Sequence, residues 1–216
     1  MLLSRLQQLL GGIYDVPVAH DVYDFLVTDR ARLPPQARGG TAEEELLVAQ
    51  FPGGGELALS LYLDPQLLQR LARADPLECL HAGNVADCLT ALEGVSHFMY
   101  LAWNAGHDKP VSLLELEMQA EVDKYVATYW LMRRQFPERF PTELLRVLLE
   151  RTHIDPTLAE GREDLYRQAS GYAQRFCRRL EQRLRNAQSA GEVLAELRRF
   201  YRLTNARKVA HIERTA

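Results

Sequence analysis

Apolar residues recur every three or four positions along most of this chain, and every second position in one short stretch near its start. In that stretch Leu57, Leu59, Leu61 and Leu63 alternate with Ala58, Ser60 and Tyr62, the period of a half-buried strand. Residues 45–51 form a second candidate strand, and Pro52-Gly53-Gly54-Gly55 between them reads as a hairpin turn. The run Val22-Tyr23-Asp24-Phe25-Leu26-Val27 has the β-branched and aromatic content of a third. Residues 30–41, with Pro34-Pro35 and Gly39-Gly40, read as a loop. So small a sheet is unstable alone and must lean on helices.

The helical period covers residues 1–12, 66–74, 84–105, 111–135, 142–152, 162–187 and 192–213. Asp64-Pro65 and Asp75-Pro76 each place a side-chain acceptor before a proline that suits the first helical turn. Ser189 and Glu192 have the spacing of a capping box. Leu165, Ala169, Tyr172, Phe176, Leu180 and Leu184 make one apolar seam, and Val193, Leu197, Phe200, Tyr201 and Leu203 a broader one. The expected fold is mainly α (α+β): an antiparallel helical bundle with a small N-terminal antiparallel β-hairpin or three-stranded sheet. Residues 1–76 form a small α/β region packed on the bundle of residues 77–216, the two making one compact domain.

The two central helices break the simple pattern. On the first, Glu93, His97, Tyr100 and Asn104 share one side among large apolar neighbours; on the second, Glu117, Glu121, Lys124 and Thr128 do. The opposite side of the second helix, with Glu115, Gln119 and Asp123, reads as its solvent face. Two polar stripes on adjacent helices can face each other inside a bundle, where buried charges need partners. The favoured reading is a structural network of Glu93, His97, Tyr100, Asn104, Glu117, Glu121 and Lys124 that fixes helix register. A second reading makes Glu93, His97, Glu117 and Glu121 ligands of a divalent metal, since imidazole and carboxylates suit such ions. Di-iron bundles repeat Glu-x-x-His, whereas this chain has Glu93-x-x-x-His97 once. A third lets the stripe line a pocket for a small polar ligand or partner segment.

Other chemistry is thin. The glycines at 53–55 lead into a strand that begins with Glu56, not into a helix with Lys-Ser/Thr, so they make no phosphate loop. His20-Asp21 and His107-Asp108 look like metal-phosphohydrolase dyads but fall in loops beside Pro or Gly; chance explains them better. Cys79, Cys88 and Cys177 are odd in number and lack a C-x-x-C pair, which favours reduced thiols over a disulfide or zinc framework. Cys177 lies beside Arg178 and Arg179, but an inert helix thiol is the simpler reading.

Charge changes the picture modestly. Residues 1–132 carry 8 Lys and Arg against 18 Asp and Glu, and residues 133–216 carry 18 against 11, within a chain of net charge −3. Such halves attract each other or meet different partners. Arg198, Arg199, Arg202, Arg207 and Lys208 form an expected basic surface with Phe200 and Tyr201 interleaved. A nucleic-acid reading of it is disfavoured, because no reader module accompanies it and the pI is about 6.1. No apolar run reaches the ~20 residues of a membrane span, and no secretory signal opens the chain.

The functional expectation is a cytoplasmic, non-catalytic helical protein that binds a protein partner or assembles with itself, without a cofactor. The alternatives are a metal-dependent enzyme centred on the carboxylate and histidine stripe, and a nucleic-acid-associated regulator using the Arg-rich C-terminal helices.

Overall fold

The computed structural model describes residues 1–17, 19–50, 57–150, 162–186 and 190–214. Helix α1 (Leu2–Tyr14) buries Leu3, Leu6, Leu10, Ile13 and Tyr14, the stripe its three-and-four spacing dictates. It stops at Asp15, whose φ of 53° is the left-handed conformation that Asp and Asn tolerate. Arg202 donates to the carbonyls of Tyr14 and Asp15 at 2.9 and 2.8 Å, and Arg198 to that of Ile13 at 3.3 Å. These guanidiniums satisfy the open carbonyls at the negative end of the helix.

The sheet is mixed, not purely antiparallel. Asp21 accepts from the backbone N–H of Tyr23 at 3.0 Å and winds Val22–Phe25 into a 3-10 turn, so only Leu26–Val27 (β1) of the expected third strand remains extended. A second 3-10 turn (Arg30–Arg32) and a one-turn helix α2 (Pro35–Arg38) lead to β2 (Glu44–Gln50), which pairs antiparallel with β3 (Leu57–Leu63). β1 lies on the other side of β3 and runs parallel to it, because the chain crosses over through α2 before the hairpin. The expected turn at 52–55 and the capping serine at 189 lie outside the described residues.

Helix α3 (Pro65–Arg73) starts as its sequence requires: Asp64 accepts from Gln66 N–H at 2.7 Å and Pro65 fills the first position. Helices α4 (Val85–Ala105) and α5 (Leu113–Gln135) follow, joined at residues 106–112, where Asp108 takes a left-handed φ of 52° and Ser112 caps α5. α5 is central, packed between α4 and α6 (Arg162–Leu184). Of the helix expected at 142–152, the described residues 142–150 form a turn that leads into the π-helical segment Arg146–Glu150. The single final helix expected over 192–213 breaks at residues 202–204 into α7 (Ala190–Tyr201) and α8 (Asn205–Arg214). The break folds α8 back, so that Ile212 joins the same apolar cluster as Leu3, Leu61, Leu92, Val122 and Phe176. That one cluster draws on both the N-terminal region and the bundle.

The sheet packs on α4, and Gly94 sets how closely. A Cβ at Gly94 would lie 2.9 Å from Leu61 Cδ1 and 3.0 Å from Glu44 Cγ. Only a residue without a side chain lets β2 and β3 approach here. Among the described residues, no helix is long and apolar enough to cross a membrane.

A carboxylate and imidazole cluster between α4, α5 and β2

The close approach at Gly94 carries Glu44, the first residue of β2, onto α4 one turn from His97. His97 Nδ1 lies 3.5 Å from Glu44 Oε1, and His97 Nε2 lies 3.6 Å from Glu117 Oε2 on α5. The His97 side chain is only 6% exposed, so three elements close around it. One turn back on α4, Glu93 accepts from Lys124 Nζ at 3.1 Å; the same ammonium donates to Glu121 at 2.6 Å. Ligand atoms of Glu93, His97 and Glu117 lie within 4.8 Å of one another. The Glu93 side chain is 30% exposed and forms the rim.

The expected network is thus partly assembled. Glu93, His97, Glu117, Glu121 and Lys124 converge, and Glu44 joins them from a strand. Tyr100 and Asn104 do not: Tyr100 donates to Glu115 at 2.6 Å, and Asn104 bonds back to the Tyr100 carbonyl at 2.8 Å. Thr128, further along the same stripe, has a buried hydroxyl without a partner. The interval from Glu44 to His97 explains why pattern reading missed Glu44. Its one local signal was an acid in a strand that packs on a helix.

Electrostatics strain the cluster. Burial pushes the His97 imidazolium toward losing its proton, but Glu117 and Glu44 outweigh that and hold its pKa well above the ordinary value. Burial raises the Glu44 carboxyl despite the neighbouring imidazole, and raises Glu121 despite Lys124. Glu93 goes the other way: burial opposes ionisation, but Lys124 and His97 hold its pKa down. Lys124 is raised by Glu93 and Glu121 against its own desolvation. Four carboxylates therefore face two cations even with His97 protonated. The separations to His97 are too long for good hydrogen bonds, and Glu44 Oε1 and His97 Nε2 are both buried without one.

Two chemistries fit these groups. A protonated His97 can sit as a clamp between Glu44 and Glu117. Alternatively, a neutral His97 can ligate a divalent ion together with carboxylate oxygens. Ligands bound at about 2.1 Å lie roughly 3.0–3.5 Å apart around one ion, close to the 3.6 Å from His97 Nε2 to Glu117; Glu44, on the other ring nitrogen, can fix the tautomer but cannot share that ion.

The other side of α5 is not a solvent face. Glu115, Gln119 and Asp123 are all buried, against α1, α4 and α8. Asp123 accepts from Tyr14 and, at 2.5 Å, from Ser96; Gln119 donates to Asp123 at 2.7 Å and accepts from Lys208 at 2.5 Å. Lys208, expected on the basic surface, is 0% exposed and lies over the rings of Tyr100 and Phe200, at 4.4 and 4.8 Å. Burial lowers its pKa to about 7 in spite of Glu115 and Asp123, and burial raises Asp123 to about 6 in spite of its donors. Arg198 and Arg202 are engaged on α1, Arg202 while still exposed; Arg199 and Arg207 are the exposed members of that expected surface that do not contact α1 carbonyls.

The remaining candidates disperse. Asp21 caps the 3-10 turn, His107 Nδ1 lies 2.7 Å from the Trp103 carbonyl, and neither His-Asp pair gathers further ligands. Cys88 and Cys177 are buried free thiols; burial pushes Cys88 up to about 12 and Cys177 well above its ordinary value, which removes the nucleophile reading. No protein-family model, no curated protein and no solved structure matches the chain.

Proposed function

We propose that this protein binds a divalent first-row transition metal between α4 and α5, with His97 Nε2 and Glu117 as the inner ligands, Glu93 at the rim, and Glu44 of β2 accepting from Nδ1–H on the other edge of the ring. The observation that carries the reading is the buried, unpartnered His97 Nε2 beside Glu117 and Glu93, inside a cluster with excess negative charge. An unmade bond on a buried polar atom costs about 1–3 kcal/mol, and more for a charged group. A bound cation removes that cost at Nε2 and offsets the carboxylate excess. Lys124 sits where it neutralises Glu121, so that carboxylate need not share the ion.

Elemental analysis of protein purified without chelator is expected to give about one equivalent of zinc, manganese or iron. Chelation should then lower the melting temperature, and His97→Ala or Glu117→Gln should abolish binding. Protein that carries no metal, and whose melting temperature is unmoved by added zinc or manganese, would sink the proposal.

Association with a second copy is the other reading, favoured by one observation. Among the described residues β2 pairs on one side only, and Val48 on it is 51% exposed. Light scattering across a concentration series tests it; a monomer at every concentration removes it.

A further inference from the structure

Arginines of α6 and α7 line a cleft that shares no residue with the carboxylate and imidazole cluster. It has a volume of about 200 Å³ and lies between α6, which supplies Phe176, Arg179, Leu180 and Arg183, α7, which supplies Glu196 and Arg199, and α8, which supplies His211. Its wall is apolar, since Phe176 stacks on Phe200 with ring centroids 3.9 Å apart and Leu180 is buried beside it. Its charge is lopsided. Among the described residues that line the cleft Glu196 is the one carboxylate, and His211 Nε2 already engages it at 2.5 Å. Against it stand the guanidiniums of Arg179 and Arg199.

Arg179 is the most telling of these. Its Nη1 donates to the Ile212 carbonyl of α8 at 3.1 Å, which fixes the side chain, while its Nη2 is buried with no partner. Burial depresses its pKa; Glu196 opposes that drop, and the like charges of Arg183 and Arg175 add to it. Arg199, exposed on α7, makes no ion pair among the described residues. A guanidinium held rigidly with an unsatisfied N–H, beside further guanidiniums over an apolar wall, is the arrangement that receives an oxyanion.

We propose that this cleft binds the phosphoryl group of a small phosphate ester, with Arg179 as the fixed donor and Arg199 closing on it from the mouth. A phosphoryl group is favoured over a carboxylate because donors arrive from two helices, and three terminal oxygens can engage them where a carboxylate offers two. The apolar wall of Phe176 and Leu180 suits the ester's organic part. The proposal is independent of the metal reading, whose ligands lie on other elements.

Calorimetric titration with inorganic phosphate and with phenyl phosphate, against sodium chloride at matched ionic strength, tests it. Both phosphates are expected to bind saturably, phenyl phosphate more tightly. Arg199→Gln should weaken each at least tenfold, while Arg207→Gln, an exposed arginine outside the cleft, changes neither. Arg199 is exposed, so that variant should fold, and its melting temperature verifies this. Phosphate heats indistinguishable from those of chloride, or wild-type affinity in Arg199→Gln, would overturn the site. Benzoate binding as tightly as phenyl phosphate would overturn the choice of a phosphoryl group.

Discussion

Helix α5 is polar on two sides, and the two sides differ in how completely their polar atoms are answered. Toward α1 and α8, Asp123 receives three donors and Lys208 reaches both an amide oxygen and two rings; none of these side chains leaves a fully buried nitrogen or oxygen unpartnered. Toward β2, His97 sits between two carboxylates at distances that make no good hydrogen bond, and two buried atoms stay open. Both sides are buried, so burial alone does not separate a structural network from a candidate site. Satisfaction does. A closed network fixes one arrangement of helices, whereas an open one has capacity left for a ligand.

The largest expected effect breaks the closed side. Asp123→Ala leaves Tyr14, Ser96 and Gln119 without their acceptor and removes one of the two anions that act on Lys208, so it should cost about 3–5 kcal/mol in urea denaturation. A loss below about 1 kcal/mol would mean that the network does not hold the fold.

Next comes pH. Lys208 sits at about 7 in the folded protein and near 10.4 when unfolded. Between those values the unfolded chain holds a proton that the folded one lacks. Stability should therefore rise with pH above 7, by up to about 1.4 kcal/mol per pH unit. Asp123 acts in a lower window: its folded value of about 6 exceeds the ordinary carboxyl value. The folded state there holds the extra proton, and stability falls as pH rises from about 4 to about 6. Lys208→Met should flatten the upper rise and deepen the lower fall, since Lys208 holds the Asp123 pKa down. Melting temperatures from pH 4 to 10 check both branches, and an unchanged upper branch in the variant would remove Lys208 as its cause.

Gly94→Ala tests how the open side is assembled. The added methyl meets Leu61 and the Glu44 stem, so about 1–3 kcal/mol should be lost through overpacking. Metal affinity should fall with it, because Glu44 must move; unchanged affinity would show that Glu44 does not position His97 for the ion.

The smallest effect is the most discriminating. In chelated protein Glu44→Gln relieves charge repulsion and should leave stability within about 1 kcal/mol of wild type, on the stabilising side, while lowering metal affinity at least tenfold. Equal destabilisation of the chelated and metal-loaded proteins would make Glu44 a partner in an imidazolium clamp.

Local features were legible where the responsible physics is local. The Asp64-Pro65 helix start, the alternation of β3, the long helices and the polar stripes that carry Glu93 and His97 on α4 and Glu117, Glu121 and Lys124 on α5 all follow from neighbours a few residues apart. The errors fell where distant residues decide. Glu115, Gln119 and Asp123 look like a solvent stripe until Lys208 and Tyr14 are brought against them. Lys208 looked basic and exposed because the break at residues 202–204 turns α8 inward, and no proline or glycine marks it.

By itself the amino-acid order set the helical periods, the strand alternation, the caps and the presence of two polar stripes, since each depends on backbone geometry and burial within one element. Which stripe closed on itself and which stayed open was settled only by the tertiary structure. The approach of β2 at Gly94 and the return of α8 place Glu44 and Lys208 against residues far away in the chain. A buried polar atom's energy depends on what meets it, and that meeting belongs to the packing of whole elements.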